Sequence, residues 1–158
     1  MKDFSNKYII IFSVVMVVSV AILLSLMALL LQPRQEKNVE VEKKMNILSS
    51  INVVSDKSDA VQLYDRHIKE SFVINTEGKK FEGVDAFTVT LRAEQKKPLE
   101  EQYLPVFIAV ADNGDTLHII PLEGKGLWGP IWGYVSLKKD LSTIAGATFD
   151  HKGETPGL

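Results

Sequence analysis

The chain has no cysteine in 158 residues. That excludes disulfides, zinc thiolates and any iron–sulfur cluster held by its own thiolates, although it says little about compartment. Its three histidines, His67, His118 and His151, are scattered without ligand spacing, and neither a G-x-S-x-G nor a Walker sequence occurs. Asp112 and Asp115 sit around Asn113-Gly114 as turn formers; the later carboxylates and closing Glu of an EF-hand are missing. Charge of either sign is in no great excess, with 18 Lys+Arg against 20 Asp+Glu. There is no basic patch with interleaved aromatics, so nothing points to nucleic acid. Internal repeats and low-complexity tracts are also absent.

What the chain does have is an uncharged run, Tyr8–Leu31. As a helix rising about 1.5 Å per residue it reaches roughly 36 Å, enough to cross a bilayer core with some tilt. A cleaved signal peptide has a shorter apolar stretch and small residues at its cleavage site, whereas this run continues unbroken to Gln32-Pro33-Arg34. Residues 1–32 are therefore expected to be a transmembrane anchor. Its flanks leave orientation open, since Lys2 and Lys7 face Arg34, Lys37, Lys43 and Lys44 across the run.

Residues 33–70 read as a helical connector. Val41, Met45, Leu48 and Ile51 recur at spacings that put them on one face of a helix over Gln35–Ile51. A second helix is expected through about Ile68, capped by Ser58 or Asp59. From Ser71 the pattern becomes that of strands: Ser71–Asn75 with a turn at Thr76-Glu77-Gly78, Ala86–Arg92, Leu104–Ala111, Thr116–Leu122, Ile131–Lys138 and Ile144–Phe149. Asn113-Gly114 marks a hairpin between the third and fourth of these. The fold class is α+β: an N-terminal transmembrane helix followed by a helix-flanked, mainly antiparallel sheet, residues 71–158 forming the sheet domain.

The chemistry-bearing stretch is Gly124–Leu158. Gly124, Gly126, Gly129 and Gly133 permit close backbone approach, and Trp128, Trp132 and Tyr134 place broad flat surfaces among them, a composition suited to gripping a planar ring. Thr155-Pro156-Gly157-Leu158 carries Pro and Gly at the second and third positions of a type II turn, with Glu154 and Thr155 as polar neighbours. Composition alone is better met by a glycine-rich turn entering a core strand and a surface Pro-Gly turn. Gly124-Lys125-Gly126-Leu127-Trp128-Gly129 matches G-x-G-x-x-G in form only, because Pro130 and the β-like Tyr134-Val135-Ser136-Leu137 follow where a dinucleotide site needs a helix. His151 near the Glu154 turn reads as a solvent-facing loop residue.

Gly-Leu-Trp-Gly-Pro-Ile-Trp-Gly-Tyr from Gly126, followed by Gly-Glu-Thr-Pro-Gly-Leu from Gly153, resembles the FMN-binding domain family. Within it the Leu127-Trp128 pair is similar to the C subunits of the sodium-translocating NADH:quinone reductases. The G subunits of Rnf electron-transport complexes, the alternative, usually carry Gly-Tyr-Gly-Gly there. The resemblance implies an FMN-carrying, electron-transferring subunit of a membrane oxidoreductase, not catalytic alone. It implies a single pass of the inner membrane, a periplasmic domain, and partners among the other membrane subunits that handle NADH, quinone and sodium. It places Leu127, Trp128, Glu154, Thr155, Pro156, Gly157 and Leu158 beside the flavin, with no catalytic acid or base and no metal. It also implies a phosphoester from FMN to a threonine in Ser-Gly-Ala-Thr. Ala145-Gly146-Ala147-Thr148 departs from that motif at Ala145 and precedes the Pro-Gly turn, so the attachment threonine is expected beyond Leu158 and the domain is expected to be C-terminally incomplete. A structural or assembly protein that binds no cofactor is the competing reading from a different class.

Overall fold

The computed structural model describes residues 5–127, 129–151 and 153. Helix α1 runs from Asn6 to Ser50 without a break. The expected anchor and the following amphipathic helix are thus one element, and Pro33 lies inside it. Proline removes one main-chain bond and crowds the carbonyl four residues back. Here it stands just past the apolar run, where Gln32 Nε2 bonds Glu36 Oε1 at 2.8 Å along the same face. Within the run, the one hydroxyl near its centre, Ser19, donates to the Val15 carbonyl at 2.8 Å, which satisfies it without water.

By contacts the chain forms two units, one ending at Glu40 and one beginning at Val41. The first is the apolar part of α1, the single helix among the described residues that is long and apolar enough to cross a membrane. In the second, α1 contributes Val41, Ile47 and Leu48 to the core. Its last turn closes as a Schellman motif: Asn52 N–H donates to the Ser49 carbonyl and Val53 N–H to the Leu48 carbonyl, with Asn52 left-handed at φ 61°.

Helix α2, Ala60–His67, leads directly into the sheet. Neither expected cap is made: Asp59 precedes the helix, but its carboxylate accepts the Asp56 N–H instead. The strands are β1 (Ile68–Ile74), β2 (Lys80–Phe81), β3 (Leu104–Val110), β4 (Thr116–Lys125), β5 (Pro130–Leu137) and β6 (Ile144–His151). They form one antiparallel sheet in the order β2-β1-β3-β4-β5-β6. This is the expected α+β architecture, but the segment Ala86–Arg92 is not a strand. Asp85 organises it as a turn, its carboxylate accepting Phe87 N–H and its carbonyl accepting from Thr88, and a one-turn helix α3, Leu91–Glu94, follows. The alternation of Phe87, Val89 and Leu91 reflects separate packing contacts, such as the Phe87 ring edge-on to Tyr64 at 5.8 Å.

One sheet face carries Val73, Phe107, Ile119 and Tyr134 against Ile47 and Leu48 of α1 and Ile51 just beyond its end. Burial pushes the Tyr134 phenol up to about 12. Lys43 of α1 donates to the Phe87 carbonyl and holds the Asp85 turn over this core; burial lowers its pKa, and the Asp85 charge offsets part of that.

Candidate functional site

The strand ends that flank the two expected motifs fall at one end of the sheet because of register. The β4–β5 ladder pairs Lys125 with Pro130, Gly124 with Ile131, Glu123 with Trp132 and Leu122 with Gly133. The β5–β6 ladder pairs Ile131 with His151, Trp132 with Asp150 and Gly133 with Phe149. The end of β4, the start of β5 and the end of β6 therefore lie side by side, bringing together the two flanks of the Trp-Gly and Pro-Gly motifs. Gly129 leads into β5, so the G-x-G-x-x-G spacing has no helix behind it.

The hairpin closes tightly. Gly126 N–H donates to the Gly129 carbonyl at 2.8 Å, and a Cβ on Gly126 would stand 2.6 Å from Ile131 Cδ1 and 2.9 Å from that carbonyl. Leu127, in the tip, is 89% exposed. Trp128 and the whole Glu154–Leu158 turn, including Thr155, Pro156 and Gly157, lie outside the described residues.

Beside the hairpin is a cavity of about 290 Å³ lined by Leu122, Glu123, Gly124, Lys125, Ile131, Trp132 and Phe149. Its floor depends on Gly133. A Cβ there would come within 2.4 Å of the Thr148 carbonyl oxygen and 2.5 Å of Phe149 Cδ1, so the Phe149 ring lies across the bare backbone of β5. Gly124 faces open space instead. On the opposite sheet face, α3 is pinned to β4: Arg92 N–H donates to Glu123 Oε2 at 2.9 Å and Gln95 Nε2 to the Glu123 carbonyl at 3.0 Å. These are groups that can hold a planar, largely apolar ring. Among the described residues no cluster of His, Asp or Glu could hold a metal ion.

Sequence reasoning does not single out Phe149, Leu122 or Ile131. The signal is present in the alternation of β6, which puts Phe149 and Thr148 on opposite faces, but along one strand it says no more than that a strand is there. Thr148 pairs with Tyr134 on the helix-facing side and is half-buried. The nearby Gly146 serves packing: a Cβ on it would lie 2.4 Å from the Ser50 carbonyl oxygen. His151 is exposed as expected, but it is the last residue of β6, paired with Ile131, rather than part of a loop; its N–H is taken by the Asp150 carboxylate.

The FMN-binding domain family matches residues 126–158, the stretch that contains the hairpin tip, β5 and β6. A crystal structure of the C subunit of the Na(+)-translocating NADH-quinone reductase from Parabacteroides distasonis superposes with a TM-score of 0.72 at 44% identity, covering 81% of this chain and 61% of that one. This chain is thus similar to that C subunit in both sequence and fold. Other C subunits are similar in sequence: that of Haemophilus ducreyi is 27% identical over 83% of this chain, and that of Neisseria meningitidis 28% identical over 99%. The NqrC structure from Shewanella oneidensis shares the fold, with a TM-score of 0.62 over 75% of this chain at 24% identity. The chain spans 57% of the Haemophilus protein and 67% of the Neisseria one. The fold seen here, a long apolar N-terminal helix followed by a mainly antiparallel six-stranded sheet, matches those NqrC structures.

Proposed function

We propose that this chain is the membrane-anchored flavin subunit of a sodium-translocating NADH:quinone reductase, carrying electrons between neighbouring subunits on the path from NADH to quinone. The observation that carries this reading is the convergence, within the family-matched stretch, of the β4, β5 and β6 ends around a glycine-floored apolar cavity. Bound there, FMN would supply redox chemistry of its own, so no protein acid or base is required. The chain's residues have simpler tasks. Gly126 and Gly133 let the backbone come close, Leu122, Ile131 and Phe149 exclude water, and Leu127 reaches the ring from the hairpin tip, with Trp128 assigned to the flavin by the motif alone. Glu154, Thr155, Pro156, Gly157 and Leu158 are assigned to the flavin by their motif, which offers it polar groups. Helix α1 fixes the domain to the inner membrane, with the sheet domain on the periplasmic side and the other membrane subunits as partners. Any phosphoester to FMN is made by a threonine other than Thr148, whose face of β6 packs toward the domain's own helix.

The test is to express the full chain with the other reductase subunits and the flavin transferase, and to purify the assembly in detergent. Visible flavin absorbance that is lost when this chain is left out, with no FMN-phosphate adduct on Thr148 by mass spectrometry, is the expected result. A complex that assembles with this chain yet carries no flavin dependent on it would make the chain a structural component.

A further inference from the structure

We propose that Phe149 is the surface on which the flavin ring stacks, with Leu122 and Ile131 as its borders and the gap over Gly124 as the slot the ring enters. The inference rests on the function proposed above and deepens it, since none of these residues belongs to the Leu127-Trp128 or Glu154–Leu158 motifs.

Three observations carry it. Register puts Leu122, Gly133 and Phe149 in one row across β4, β5 and β6, and Gly124, Ile131 and His151 in the next, so all of these share one sheet face. On that face Phe149 is 61% exposed, Leu122 43% and Ile131 41%, an apolar cluster left open to water beside the hairpin. The glycines within it differ in kind. Gly133 is filled, its missing Cβ being the space the Phe149 ring occupies, whereas a Cβ at Gly124 would meet nothing within 4 Å. An aromatic ring drawn across one strand next to an empty glycine on its neighbour leaves a flat recess.

The size of the recess narrows the occupant. Pockets that enclose a whole drug-sized ligand run from roughly 300 to 1,000 Å³, and this one, at about 290 Å³, suits a tricyclic ring without its sugar-phosphate tail. Offset stacking of the ring on Phe149 also exploits the quadrupoles of both partners. The position is continuous with the hairpin that carries Leu127, so one bound ring can touch both.

Riboflavin, which has the ring and lacks the phosphate, is the probe, titrated into the detergent-solubilised full chain alongside FMN and followed by quenching of flavin emission. Phe149→Ala is expected to weaken both by about ten-fold or more, the scale of one lost aromatic contact. Ile144→Ala, an equally exposed apolar side chain at the other end of β6, is expected to leave both unchanged. Phe149→Trp is expected to retain binding and to add a long-wavelength charge-transfer shoulder to the flavin spectrum, a signature that indirect support of the fold would not produce. If Phe149→Ala binds as the parent does while Leu127→Ala does not, the stacking surface is wrong and the flavin reading stands. If the parent chain quenches neither probe, both fall, and the apolar cluster is instead a contact surface for another protein.

Discussion

The hydroxyl of Ser136 donates to the main-chain carbonyl of Ser50 at 2.6 Å, with both residues fully buried. Ser50 ends α1, where a helix leaves its last carbonyls without partners, and β5 supplies the missing donor from within the sheet. Gly146 makes room for the same carbonyl from β6, and Asn52 Nδ2 reaches the Ala145 carbonyl at 3.2 Å. The end of α1 is therefore seated on the strands that build the candidate site.

Ser136→Ala should destabilise the domain by about 1–3 kcal/mol, because it leaves a buried carbonyl unpaired. Gly146→Ala should cost more, since its Cβ would press on the Ser50 carbonyl and neither backbone can yield cheaply. Thermal melts of the two variants check the order. Equal or negligible losses would mean that α1 is not seated through this contact.

Deleting residues 1–40 should release a folded, soluble domain, because the buried part of α1 begins at Val41. A deletion reaching residue 48 removes Ile47 and Leu48, both fully buried. Truncating one such side chain typically costs about 2–5 kcal/mol, so that form should fail to fold. Sedimentation of membranes and circular dichroism distinguish the cases. A 41–158 chain that still pellets with membranes in the absence of its partners would remove the anchor from residues 1–32.

Much of this arrangement was legible in the sequence. The long apolar helix follows from a charge-free run, and β3 through β6 from alternation, with Asn113-Gly114 marking the hairpin between β3 and β4. The failures have local physical causes. Proline at position 33 breaks the pattern on paper, yet costs a helix only one bond at a point where solvent-facing polar residues begin. Residues 86–92 alternate like a strand, but Asp85 offers the chain three turn hydrogen bonds before any neighbour strand could compete. The significance of Phe149 lies across the sheet, in a glycine sixteen residues earlier that periodicity along one strand cannot reveal.

Glu94 supplies a pH dependence. Burial pushes its carboxyl pKa up, but the Lys97 ammonium and the Tyr103 N–H, bonded at 2.8 and 2.9 Å, outweigh burial and hold it below the ordinary 4.5. A carboxylate whose folded pKa is depressed stabilises the fold fully above its unfolded value and loses that contribution as pH falls through the folded one. The urea midpoint of the parent chain should therefore fall relative to Glu94→Gln as pH drops below about 4.5. Parallel curves for the two proteins through that range would show that Glu94 is not held by these partners.

The two glycines of the recess provide the sharpest separation of fold from site. Gly133 and Gly124 belong to neighbouring rows of the same sheet face, and sequence gives no reason to treat them differently. At Gly133 an added methyl meets main chain on one side, the Thr148 carbonyl oxygen at 2.4 Å, and an aromatic ring on the other. The carbonyl is fixed in the β5–β6 ladder, so Gly133→Ala must bend the sheet as well as displace Phe149, and a loss of about 1–3 kcal/mol or more is expected from overpacking. At Gly124 the same methyl enters empty space. Gly124→Ala should therefore keep the parent's melting temperature, and it can even gain slightly, because alanine has fewer unfolded conformations to lose than glycine. Yet the methyl occupies the slot assigned to the ring, and flavin affinity should drop. A variant as stable as the parent that binds riboflavin several-fold more weakly would place the ring over Gly124. Unchanged binding by Gly124→Ala would empty that slot and move the flavin elsewhere on the domain.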